Sequence, residues 1–304
     1  MSEGVLDEKK NFIRPKHNDN DSLIIAFIFI IDKEKDVILQ DGTTQEDQAD
    51  TEPEDAVEAE SPEETSVPKE IRDRVKDVVI DAIQFFKKDT DIVAIGDSLT
   101  QGVGDETENG GYVGIIEERL DNQEVKVTID NFGKRGNRTD QLLQRLQEED
   151  EVIDSIKGAD MVLITIGAND VMKILKDNFM NLTMEPFNEE KEPYGDRLEQ
   201  ILKRIEALQP NAKIYLLGLF NPFEKYFSDI KALDQIMTQW NTESKQVVSQ
   251  FEQATFIPMQ DIYQGRSQNL LAEDNFHPNT RGYQLIANRV LSYLKSDLED
   301  SANN

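Results

Sequence analysis

The 304-residue sequence contains two histidines, His17 and His277, and no cysteine. Thiolate nucleophiles, Cys-ligated zinc and disulfides are therefore absent from its chemistry. Imidazole chemistry in the folded part must run through His277. A carboxylate stands three residues ahead of it, in Asp274-Asn275-Phe276-His277-Pro278. From there it can turn back and accept from one ring nitrogen, which fixes the tautomer and leaves the other nitrogen to take a proton. A matching proton source is the hydroxyl of Ser98, in Ile95-Gly96-Asp97-Ser98-Leu99. A third group, Gly167-Ala168-Asn169-Asp170, offers in Asn169 two amide donors without charge, suited to a developing oxyanion. Each group also has a plainer reading. Asp97 and Ser98 fit a helix cap, Asn169 and Asp170 an Asx-type turn, and His277 a lone surface residue before a helix.

The elements that must position these residues follow from apolar periodicity. Asp91 to Ile95, Val125 to Phe132, Met161 to Ile166, Lys213 to Leu219 and Thr255 to Ile257 read as strands. Helical periods cover Tyr112 to Leu120, Thr139 to about Ile156, Tyr194 to Leu208, Ile230 to Phe251 and Asn279 to Lys295. Five apolar strands separated by helices predict an α/β fold with a parallel sheet covered on both faces. All three chemical groups then fall beyond carboxyl ends of strands or at a late loop, where such sheets bind ligands.

The rest of the chain differs in character. The formal net charge is -28, with 61 acidic against 33 basic residues, so a nucleic-acid partner is excluded for want of phosphate-neutralising charge. Asp41 to Glu70 carries twelve acidic residues and one basic residue, with Pro53, Pro62 and Pro68. Residues 41–70 thus read as a disordered acidic linker. Ahead of it, 1–40 form an N-terminal segment with one apolar run, Leu23 to Ile31. As a helix that run would rise about 14 Å, too short to cross a bilayer core of about 30 Å. It reads as a signal or anchor remnant, or equally as a short strand, since no small-residue cleavage site follows. Membrane association through this segment is the partner expectation it carries. Residues 71–90 read as an amphipathic lead-in helix, 91–296 as the chemical domain and 297–304 as a polar tail.

Taken in order, IVAIGDSLTQG, NFGKRGN, GAND and DNFHP resemble the four blocks of the GDSL, or SGNH, hydrolase family. The likeness covers about Asp91 to Lys295 and leans toward bacterial lysophospholipase and acyl-thioesterase-like members, especially Firmicute-type GDSL lipases. It implies a three-layer α/β/α, flavodoxin-like fold with a five-stranded parallel sheet, and no metal or other cofactor. It implies a serine esterase or lipase-like acyl hydrolase with Ser98 as nucleophile, His277 as base and Asp274 as its orienting partner. The oxyanion hole would comprise the N–H groups of Ser98 and Gly136 and the Asn169 amide. Gly136 also suits the task from first principles, because a residue without Cβ lets substrate approach its backbone. Relatives of this kind favour an exported or cell-surface location over a cytoplasmic one.

Substrate clues are thinner. Val171 to Phe187 is rich in aliphatic residues and Met. It reads either as a flap whose Met172, Leu175 and Phe179 hold an acyl chain, or as an ordinary amphipathic helix. Lys134, Arg135 and Arg138 flank Gly136 and could receive a phosphate head group, as in a lysophospholipid, or form a solvated loop. Phe220, Phe223, Tyr226 and Phe227 read as core that could edge the site. The expected partner is a small acyl-ester or lipid substrate. Rival readings are a carbohydrate deacetylase using the same triad, a metal-dependent phosphoesterase with Asp97, Asn169, Asp170 and His277 as ligands, and a non-catalytic binding module.

Overall fold

The computed structural model describes residues 90–122, 127–223, 231–264 and 269–302. The expected N-terminal segment, acidic linker and all but Thr90 of the lead-in helix lie outside them, as do Tyr226 and Phe227. Three apolar runs become the middle of a sheet. β1 (Thr90–Gly96), β3 (Met161–Thr165) and β4 (Lys213–Leu217) are buried along almost their whole length. β2 (Val127–Gly133) and β5 (Ala254–Ile257) are only part-buried and form the edges of an all-parallel sheet ordered β2-β1-β3-β4-β5. Runs that are apolar on both faces belong in the middle of such a sheet, because helices cover both sides.

The helices among the described residues are α1 (Ser98–Gln101), α2 (Gly111–Asp121), α3 (Thr139–Glu148), α4 (Asp150–Gly158), α5 (Ala168–Asp177), α6 (Glu185–Leu208), α7 (Lys231–Val248), α8 (Gln260–Tyr263) and α9 (Thr280–Ala302). On one face, Ile92, Ala94, Leu163 and Tyr215 pack against α2 through Tyr112 and Ile116, and against α9 through Tyr283, Val290 and Leu294. The alternate strand residues Val93, Ile95, Val162 and Ile164 are also buried and point to the opposite face. α3 contacts α6, and α6 contacts α7. This is the three-layer α/β/α, flavodoxin-like arrangement that the sequence predicts.

Several boundaries differ from the sequence reading. The helix expected over 139–156 is two helices, broken at Glu149, whose backbone is extended at φ -91 and ψ 99. Leu142, Leu146, Val152, Ile153 and Ile156 are buried on both sides of the break, so apolar period alone runs the two together. α6 starts nine residues before Tyr194 and passes through Pro193. An interior proline ordinarily costs about 3 kcal/mol; here Phe187 and Tyr194, two turns apart, are both 1% exposed, and their burial offsets it. α9 continues through 297–302, which are helix rather than tail.

One backbone contact sets the end of β1. Gly96 has φ +137, and a Cβ there would lie 1.9 Å from the Thr165 carbonyl oxygen of β3. Gly158, by contrast, closes α4 with nothing within 4 Å of an added Cβ. Gly96→Ala should therefore destabilise the fold by more than about 3 kcal/mol, whereas Gly158→Ala should change stability by less than about 1 kcal/mol. Urea unfolding of the two variants checks the contrast.

Candidate active site

The sheet register brings the sequence groups to one edge. Gly96 pairs with Gly133 of β2 and Thr165 of β3, and Thr165 with Leu217 of β4. The chain therefore leaves β1, β2, β3 and β4 side by side, and the strand order reverses direction around β1 and β3, where open α/β sheets make a crevice. Asp97 N–H donates to the Thr165 carbonyl at 3.0 Å. The Asp97 carboxylate caps α1 by accepting from Leu99 N–H at 3.0 Å. So the cap reading of Asp97 holds, and the cap is what delivers Ser98 to the first turn of α1, 6% exposed.

His277 reaches the same point from the other end of the chain. Its Nε2 lies 2.9 Å from Ser98 Oγ, and its Nδ1 lies 2.5 Å from Asp274 Oδ2. Asp274 Oδ1 accepts from the N–H groups of Phe276 and His277 at 3.0 and 2.9 Å. Two backbone donors thus hold the carboxylate while its second oxygen faces the ring. Asn275 takes φ +54 to close this turn, a conformation that asparagine tolerates. Burial alone would raise the Asp274 carboxyl, but the hydrogen bond and charge of His277, with the two N–H groups, outweigh it and hold the acid below the usual range. The His277 ring is buried and edge-on to Phe276 at 5.0 Å.

The loop after β2 is fastened to α1. Lys134 N–H donates to Gly96 O, Arg135 N–H to Gln101 Oε1, and Asn131 Nδ2 to Thr100 O. Gly136 sits in this loop at φ +79, a turn that a side chain would strain. Asn169, at the start of α5, donates from Nδ2 to Asn137 O at 3.0 Å, so its amide is held against the residue after Gly136. Asn137 itself accepts from Arg145 Nη1 at 3.0 Å.

Residues without a spacing signal brace the assembly. Thr165 Oγ1 donates to Asp97 Oδ1 at 2.9 Å and lies 2.7 Å from Thr100 Oγ1, which lies 3.0 Å from the Tyr112 hydroxyl. Asp105 accepts from Thr280 Oγ1 and Gly111 N–H, tying the starts of α9 and α2 together just after His277. Such partners come from separate elements, and only the three-dimensional fold reveals them.

An apolar cleft opens beside Ser98 and His277, enclosing about 50 Å³. Met172, Leu219, Phe220, Phe223, Met237 and Phe276 line it, and Asp97 is at its wall. Met172 is thus at the cleft, and Phe220 and Phe223 edge it. Leu175 is buried and does not line this cleft. Phe179 begins a short 3-10 turn, and its side chain lies outside the described residues. Val171, Ile174 and Leu175 are buried in α5, as in an ordinary amphipathic helix. Arg138 pairs with Asp140 at 2.9 Å and lines a separate polar pocket beside α5 and α6. Lys134 stands 3.9 Å from Glu149.

The residues considered as metal ligands do not gather. Asp97 is committed to Leu99 and Thr165, and Asp170 to Thr139 and Arg197. Among the described residues, no group of three or more His, Cys, Asp or Glu side chains is placed to hold a metal ion. Nor, among them, is any helix long and apolar enough to cross a membrane.

Comparison with known proteins gives likenesses over the same part of the chain. The model of the GDSL-like lipase/acylhydrolase family matches residues 94–285. The Bacillus subtilis protein YpmR, described as uncharacterized, is 39% identical over 210 residues, 68% of this chain and 82% of its own length. The spore germination lipase LipC of Bacillus licheniformis is 28% identical over 204 residues, 65% of this chain and 92% of that one. The crystal structure of a lipase from a goat rumen metagenome superposes with a TM-score of 0.59 at 26% identity, covering 66% of this chain and 95% of the other.

In this arrangement an amide at 274 could still accept from both backbone N–H groups but would present a donor to Nδ1. Asp274→Asn should therefore leave the fold intact and lower kcat by about 10³- to 10⁴-fold through the wrong tautomer, measured by ester hydrolysis alongside circular dichroism.

Proposed function

This chain belongs to the GDSL-like lipase/acylhydrolase family and is a carboxylic ester hydrolase, and from that premise we propose that it cleaves short-chain acyl esters through an acyl-enzyme on Ser98. The observation that carries the proposal is the 2.9 Å contact between His277 Nε2 and Ser98 Oγ, with Asp274 on the ring's other nitrogen. As Ser98 Oγ attacks the ester carbonyl carbon, its proton passes to Nε2 and the carbonyl π electrons move to oxygen. The N–H groups of Ser98 and Gly136 and the second Nδ2 hydrogen of Asn169 meet that oxyanion. Collapse expels the alcohol, which takes the proton from Nε2. Water then attacks the acyl-Ser98 carbonyl and gives a proton to His277 Nε2; as the second tetrahedral intermediate collapses, the bond to Oγ breaks, Nε2 returns that proton to Ser98 Oγ, and the carboxylic acid leaves.

The cleft supports a small acyl group. Met172, Phe220, Phe223, Met237 and Phe276 close around a narrow space beside Ser98, an apolar lining that suits a short alkyl chain. Similarity to a spore germination lipase supports ester cleavage of the lipase type, but a lysophospholipid head group finds little support. Arg138 is paired with Asp140 and lines the other pocket. Acetylated sugars share the small acyl group, and the same cleft favours that second reading.

Ser98→Ala should lower hydrolysis of p-nitrophenyl butyrate by about 10⁴-fold or more; full activity in the folded variant would overturn the nucleophile assignment. The wild type should prefer acetyl and butyryl to octanoyl esters by at least about tenfold in kcat/KM, a loss of more than about 1.4 kcal/mol of transition-state binding. Phe223→Ala should narrow that gap. A steady-state profile across chain lengths measures both.

A further inference from the structure

The Ser98–His277–Asp274 mechanism leaves one carboxyl of the cleft unused. Asp97 is 4% exposed, directly precedes the nucleophile and lines the cleft with Phe223, Met237 and Phe276. Its hydrogen bonds from Leu99 N–H and Thr165 Oγ1 both end on Oδ1. Among the described residues, none ends on Oδ2, and no cation is hydrogen-bonded to the carboxyl or paired with it. The ionisable groups around it are His277 from the loop before α9, Asp170 of α5, Tyr112 of α2 and Tyr283 of α9. Of these, His277 favours a carboxylate at 97 and Asp170 opposes it. An acyl group entering the cleft would further desolvate Asp97, one of its lining residues, and a carboxylate with no paired cation in such surroundings is costly.

We propose that Asp97 is a specificity-determining residue whose carboxyl must be protonated for the cleft to accept an apolar acyl group, so that substrate binding draws a proton from solution onto Asp97. This role rests on the reading of the cleft as the acyl site. Burial already pushes the carboxyl up to about 6 without substrate, against the hydrogen bonds from Leu99 and Thr165 and the charge of His277. Further desolvation raises it again. The bound state then holds more protons at Asp97 than the free state, so affinity for an apolar acyl group is full below that range and falls as pH rises through it.

The test is the pH dependence of KM and kcat for p-nitrophenyl butyrate, in wild type and in Asp97→Asn. The amide keeps an Oδ1 for Leu99 and Thr165 and cannot ionise. KM of the wild type should rise about tenfold between pH 5 and pH 8, as follows if the bound acyl group lifts the Asp97 carboxyl by about one further pH unit. KM of Asp97→Asn should stay level. A residue that only braced the turn would move kcat and leave the pH profile of KM alone. A level wild-type KM, or a rise of equal size in Asp97→Asn, would overturn the proposal. Should Asp97→Asn fail to fold, Ser98→Ala with Asp97 intact decides. Binding of butyrophenone, an unreactive ketone isostere, is followed by calorimetry in buffers of different ionisation enthalpy. Uptake of about half a proton near pH 6.5 is expected; zero exchange or release overturns the proposal. Absence of ester turnover by the wild type would overturn the hydrolase reading itself, and turnover without butyrophenone binding would overturn the acyl cleft and the Asp97 proposal together.

Discussion

A single hydrogen bond, between the Ser98 hydroxyl and the His277 ring, joins residues 179 apart in the chain, and the surrounding structure is arranged to keep it. Neither partner is anchored by its own length of chain alone. Ser98 is held because Gly96 lets β1 turn against the Thr165 carbonyl and because Asp97 caps the short helix that follows. His277 is held because Asp274 is gripped by two backbone N–H groups and because Asp105 joins the starts of α2 and α9. Loss of any of these supports would leave both side chains present but misplaced, and in the proposed mechanism a displacement of about 1 Å is enough to cost about 10²-fold in rate.

The central part of the fold was readable in the residues. Apolar runs such as Asp91 to Ile95 and Met161 to Ile166 have one stable place, the interior of a parallel sheet, and the structure puts them there. His277 stood out through scarcity, as the sole imidazole beyond residue 17. Other features were not readable. The break at Glu149 has no apolar signature, since the buried residues on either side keep the helical period. α6 runs through Pro193 because burial of Phe187 and Tyr194 outweighs a local penalty. The cleft draws Met172, Phe220, Met237 and Phe276 from four separate segments, so no window of sequence contains it. Thr165 and Thr100 are likewise joined only by strand order.

Charge beside Ser98 and His277 is confined to a few placed carboxyls. The sequence carries a net -28, yet most of the cleft wall beside Ser98 is aliphatic and aromatic. Within this site the three carboxyls face different surroundings. Asp274 is held ionised by the imidazole and two N–H groups. Asp170 is pushed up by burial against the pull of Thr139 and Arg197. Asp97, also pushed up by burial, faces the cleft with no cation bonded to it among the described residues. Burial and hydrogen bonding thus push like groups in one site in opposite directions.

Activation of the Ser98 hydroxyl by its imidazole neighbour is tested most directly by covalent capture. A fluorophosphonate probe reacts with serine hydroxyls activated by a neighbouring base, and mass spectrometry of the digested adduct locates the modified residue. The structure predicts a single adduct on the peptide containing Ser98, lost in His277→Ala. Labelling elsewhere, or labelling of Ser98 that persists without His277, would contradict it.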